Sequence, residues 1–120
     1  MPTSAVVNIE IRGRNVPLRD EVKAHADQRL HLALSRFSNR IRSVKVVFED
    51  VNGPKGGPDK RCAVNVKLDV GEELRVEDGN GDLRFLIDNV ADRVGRLVAR
   101  ELERQREASS ARGSRFNGKR

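Results

Sequence analysis

The chain has 120 residues, long enough for one domain with one core and too short for two ordinary ones. Charged residues make up 35% and hydrophobic residues 37%, and four Phe are the only aromatics, so the core must be built from Val, Leu, Ile and Ala. The net charge is +6, but four of the 24 basic residues and none of the 18 acidic ones lie after position 107, which leaves +2 on residues 1–107 and makes bulk charge weak support for a polyanion partner.

No apolar run approaches the roughly 18 residues of a membrane span, and the N-terminus has no basic-then-apolar signal pattern. The expectation is a soluble, cytoplasmic protein with no membrane partner. Cys62 stands alone, so it has neither an internal disulfide partner nor a second cysteine for a metal site. Alternating with Val64 and Val66, it reads as a strand residue facing the core.

Residues 5–12 alternate Ala5, Val7, Ile9 and Ile11 against Val6, Asn8, Glu10 and Arg12, the period-2 pattern of a half-buried strand. Gly13 and Asn15 close it, and Pro17 fits just ahead of, or at the start of, a helix. From Leu18, apolar residues at Val22, Ala26, Leu30, Ala33 and Phe37 predict a helix ending near Ser38–Asn39. Ile41 to Asp50 alternates again, with Val44, Val46 and Phe48 on one side, and is a second strand. The run Asn52 to Lys60 is too rich in Gly and Pro for regular structure and reads as a long hairpin loop. Arg61 to Asp69 and Leu74 to Asp78 supply the third and fourth strands. Asp82 then caps a long helix to about Glu107. Its apolar stripe is Leu83, Leu86, Ile87, Val90, Val94, Leu97, Val98 and Leu102. Residues 108–120 lack periodicity and are expected to be a disordered basic tail.

The order βαβββα predicts an α+β two-layer sandwich, with two helices packed on one face of a four-stranded sheet. The other sheet face is left to Asn8, Glu10, Lys45, Glu49, Asn65 and Lys67.

Sites for chemistry are sparse. His25 and His31 are six apart on the first helix, off the register that would bring both to one metal, and read as surface residues. No nucleophile, base and acid set stands at recognisable spacing, so neither catalysis, a cofactor nor a small-molecule substrate is indicated. Asp88 and Asp92 lie one turn apart, and with Arg96 four residues beyond Asp92 they read as helix-surface ion pairing. The Gly-rich loop fails the Walker pattern, because no GxxxxGK[ST] is present and a strand follows. It either places Lys55, Lys60 and Arg61 near RNA backbone or is a plain flexible hairpin.

The basic residues of the helices remain. Arg93, Arg96, Arg100 and Arg104 fall within a sector of about 80° along one border of the apolar face. Arg29 and Arg36 share a flank of the first helix, with Lys23 on its other side. Asp92, Glu101, Glu103 and Glu107 offset the arginine row, so an RNA-binding rail and a solvated, ion-paired flank are both open. An interaction module for an acidic protein partner, with self-association possible, is the alternative from a different class.

The residues resemble the ribosome hibernation-promoting factors and ribosome-associated translation inhibitors, over roughly residues 7–106. The pieces are Ile11-Arg-Gly-Arg-Asn-Val16, Arg29-Leu30, Arg36-Phe37 with Arg40-Ile41, and Asp82-Leu-Arg-Phe-Leu-Ile-Asp88, in that order. The resemblance is to the short form, without the separate C-terminal dimerisation domain of the long members. It implies a non-enzymatic protein that binds the small ribosomal subunit and its rRNA in the channel used by messenger and transfer RNA, and that inhibits translation or stabilises inactive ribosomes under stress. It also implies that Lys23, Arg29, Arg93, Arg96, Arg100 and Arg104 fall where the family places Lys or Arg facing RNA. Arg36 stands where an aromatic is common.

Overall fold

A computed structural model describes residues 7–50 and 60–118. The elements run β1 (Ile9–Arg14), α1 (Asp20–Leu34), β2 (Ile41–Asp50), β3 (Lys60–Leu68), β4 (Leu74–Gly79) and α2 (Leu83–Gly118), with a 3-10 segment, Ser35–Arg40, between α1 and β2. The sheet order is β1-β2-β3-β4. α1 makes the crossover that lets β1 pair parallel with β2, while β2, β3 and β4 follow one another antiparallel. This is the predicted α+β two-layer sandwich.

Register explains the two faces. Ile11, Val46, Val64 and Val76 stand side by side across the four strands, and the neighbouring row is Glu10, Lys45, Asn65 and Arg75. Successive side chains point to opposite faces, so the first row is roofed by the helices and the second lies on the open face. α1 contributes Ala26, Leu30 and Leu34 to the core; α2 contributes Leu86, Ile87, Val90, Ala91, Val94 and Val98. Phe48 is among the largest fully buried side chains. Cys62 faces the core as expected. Burial, with Asp78 adding negative charge nearby, pushes its thiol up to about 12, so it stays protonated near neutrality.

The two helices meet where Gly95 lies against Ala33. A Cβ at position 95 would come within 3.3 Å of both the Ala33 methyl and its carbonyl oxygen, so the absence of a side chain sets the close approach. At a second contact made by α2, Gly71 has φ +96°, and a Cβ there would sit 2.8 Å from Gln105 Nε2. Gln105 Nε2 donates to the Val70 carbonyl at 3.0 Å, tying the β3–β4 turn to α2.

Asp82 caps α2 as predicted, its Oδ1 accepting from the Arg84 amide at 3.0 Å and the Phe85 amide at 3.4 Å. Three expected boundaries are corrected. β1 ends at Arg14 instead of Arg12, because Gly13 and Arg14 still pair with Phe48 and Glu49. α1 stops at Leu34 and tightens into the 3-10 segment, a common way to end a helix. α2 does not stop at Glu107 but keeps helical backbone to Gly118. No proline interrupts Leu83–Gly118, and each residue added to a formed helix gains one hydrogen bond without a new nucleus.

Candidate nucleic-acid interface

All four arginines of the α2 row are exposed. Arg93 Nη1 lies 3.2 Å from Asp78 Oδ2, a carboxylate that also accepts from Asn89 Nδ2 and from the Gly79 amide. Arg96 Nη1 lies 2.8 Å from Asp92 Oδ2, one turn back, as the spacing predicts. Arg104 grips Glu101 with two bonds, at 2.6 and 3.1 Å. Those bonds, joined by one from Gln105, hold the Glu101 carboxyl below its usual value. Arg100 has no partner among the described residues. Exposed ion pairs are worth about 0–1 kcal/mol, so a phosphate can replace the acid at the other three.

The row divides between two concavities. Arg93, Arg96 and Arg100 line a cleft of about 330 Å³ between α2 and the edge strand β4, together with Val76, Leu97 and Arg75. Arg104 instead lines a groove of about 1040 Å³ with Arg36, Phe37, Arg40 and Leu102. There the Arg36 guanidinium sits 4.6 Å from the Phe37 ring centroid, a cation–π contact.

Arg29 belongs to a third arrangement. Its Nε donates to Asp88 Oδ1 at 2.9 Å, and His25 Nε2 reaches the same oxygen at 2.8 Å. The reading of His25 as a surface residue is corrected: its side chain is only 18% exposed, because it bridges α1 to α2. Asp88 likewise pairs across the helices and not with its own helix face. Burial raises the Asp88 carboxyl, but hydrogen bonds from His25 and Arg29 and their nearby charge outweigh it, leaving the carboxyl below its usual value. A depressed carboxylate binds fewer protons folded than unfolded. Its contribution is therefore complete above the unfolded value, about 3.9, and is lost as pH falls through the lowered one. Asp88→Asn is expected to lower stability near neutrality and to close the gap to the wild type in acid. Urea unfolding at both conditions checks this, and a gap independent of pH would refute it.

The remaining expected residues scatter. Lys23 is exposed on α1. Lys60 Nζ lies 3.9 Å from Asp50 Oδ2 at the ends of β2 and β3. Arg61 is on the open sheet face, 3.5 Å from Glu77, and so away from the helical layer. Lys55 lies outside the described residues. Arg75, which sequence reading did not single out, is beside the α2 row. Its alternation with inward Val76 shows that it faces out; only the packing of α2 against the edge strand β4 brings it to the α2 arginines.

A family model described as Sigma 54 modulation protein / S30EA ribosomal protein matches residues 9–106. The N-terminal domain of Thermus thermophilus Protein Y is similar in structure, with a TM-score of 0.64 and 28% identity over 78% of this chain and 98% of that one. A ribosomal subunit interface protein from Coxiella burnetii gives a TM-score of 0.66 over 81% of this chain and 99% of that one, and its 17% identity speaks to the fold alone. Comparison with curated proteins returns no match.

Proposed function

This chain belongs to the Sigma 54 modulation protein / S30EA ribosomal protein family, and we propose that it binds the small ribosomal subunit through ribosomal RNA and inhibits translation by occupying the channel for messenger and transfer RNA. Members of the family are ribosome-associated, non-enzymatic factors, so the protein acts by occupancy, in the cytoplasm where ribosomes work. The observation that carries the reading is the arginine flank of α2, which Arg93, Arg96 and Arg100 present to solvent on a domain of this family. Similarity to the Thermus domain supports it. The binding unit is taken as residues 1–107, with the following residues as an appendage.

Phosphate contacts and shape suffice for this role. A-form RNA is recognised largely through its backbone and shape, and each neutralised phosphate releases counterions. Purified protein is expected to cosediment with small subunits at low salt and to be released steeply as salt rises. With six or more phosphate contacts, affinity falls on the order of a thousandfold between about 50 and 200 mM salt. Sedimentation across a salt series reads this. Absence from the subunit fraction at low salt, or pelleting indifferent to salt, would refute the proposal.

A further inference from the structure

We infer that the cleft between β4 and α2 is a phosphate-binding site of which Arg75 is one arm. Four guanidinium groups, from Arg75, Arg93, Arg96 and Arg100, line it with Val76 and Leu97, and among the described residues no carboxylate does. That separates the cleft from the rest of the basic surface. On the open sheet face next to it, a groove of about 180 Å³ also contains Arg75, but there Glu49 and Glu77 stand among the arginines Arg14 and Arg61. Asp78, Asp92 and Glu77 pair with Arg93, Arg96 and Arg75 from outside the lining, so an anion exchanges with them in the cleft, whereas past Arg75 the carboxylates line its path.

The cleft is already arranged for an anion. Arg75 Nη1 donates to Asn65 Oδ1 at 2.9 Å, and its Nη2 lies 3.5 Å from Glu77 Oε1. Arg93 is held by Asp78 at 3.2 Å and by the Glu77 carbonyl. With these two guanidinium groups held in place, less side-chain entropy is lost on binding. Arg100, without a partner among the described residues, keeps its donors for the ligand. β4 is an edge strand, so among the described residues no further strand covers the cleft. Its volume of about 330 Å³ is at the small end of ligand pockets, and half-buried Leu97 gives it a small apolar patch beside the guanidinium groups. The chemistry is that of a nucleotide phosphate, from an RNA backbone or from a free nucleoside polyphosphate. This deepens the RNA reading above and rests on it for the macromolecule, while phosphate affinity is measured apart from ribosome binding.

The test compares wild type, Arg75→Gln and Arg12→Gln, using inorganic tripolyphosphate and a short oligouridylate as probes. Arg12 is on β1 at the opposite edge of the sheet, paired with Glu10 at 2.7 Å, so its replacement removes the same charge elsewhere. Arg75→Gln is expected to weaken binding about fivefold and to reduce the slope of log affinity against log salt by about one, with Arg12→Gln near wild type. Loss for both probes, or for either alone, supports the cleft. Loss confined to tripolyphosphate assigns a free polyphosphate; loss confined to oligouridylate assigns a backbone phosphodiester. Equal effects of the two substitutions, or no effect of Arg75→Gln on either probe, would overturn it. Thermal melts confirm that the variants are folded. Subunit cosedimentation run in parallel separates the two claims: wild-type pelleting with an inert Arg75 removes the cleft and leaves the ribosome reading, and the converse removes the ribosome reading alone.

Discussion

Replacing Arg93, Arg96, Arg100 and Arg104 together by Gln is expected to cut cosedimentation with small ribosomal subunits by about a hundredfold, with the salt slope falling by roughly three to four. The four do not contribute equally. Arg100 has no partner among the described residues and gives its full charge to phosphate. Arg104 is gripped bidentately by Glu101, and Arg96 is paired to Asp92 at 2.8 Å, so both exchange one anion for another. Single variants should therefore rank with Arg100→Gln above Arg104→Gln. All four side chains are exposed, and loss of the three surface ion pairs, at Arg93, Arg96 and Arg104, should cost little stability. Arg93 carries the greatest structural risk, since Asp78 also holds Asn89 and the Gly79 amide. A triple variant keeping Arg93 guards against that. Undiminished cosedimentation of the quadruple variant would remove the α2 flank as the binding surface.

Phe48→Ala is expected to destabilise the fold by about 3–5 kcal/mol, a large share of the roughly 5–15 kcal/mol that holds a domain together. Phe48 is 1% exposed, among the largest fully buried side chains. Ala26 and Leu30 of α1 and Ile87, Val90 and Ala91 of α2 line the same interior gap. Removing the ring leaves a hole beneath both helices at once, and neither can settle into it without disturbing the Gly95–Ala33 contact. Urea unfolding should show a much lower midpoint, and subunit binding should weaken with it, because the arginine flank is positioned by that packing. Phe48→Leu, which keeps most of the volume, should cost far less. An unchanged midpoint for Phe48→Ala would mean that the core is organised differently.

Val44, Val46 and Phe48 against Lys45, Val47 and Glu49 showed in the sequence which face β2 would bury, and the register bears that out. The same holds for the apolar stripe of α2 and for Asp82 as its cap. Periodicity succeeds there because each pattern is local: side chains one turn or two residues apart share a face whatever lies opposite. The resemblance, carried by short motifs in fixed order, is answered by the family match over residues 9–106. The arginine row was likewise visible, since it needs only the geometry of one helix.

What surrounds that row was not visible in the same way. Asp88 meets His25 and Arg29 across separations of 63 and 59 residues, so neither a surface histidine nor a free Arg29 survives contact between the helices. Arg61, a candidate by charge, falls on the open face beside Glu77. Arg75, unremarkable on a short strand, stands with Arg93, Arg96 and Arg100 because β4 forms the sheet edge against α2. Periodicity reports which side of an element is buried, but not which element buries it. The charge balance of a cleft between two elements therefore exists only after strand order and helix packing have put them together.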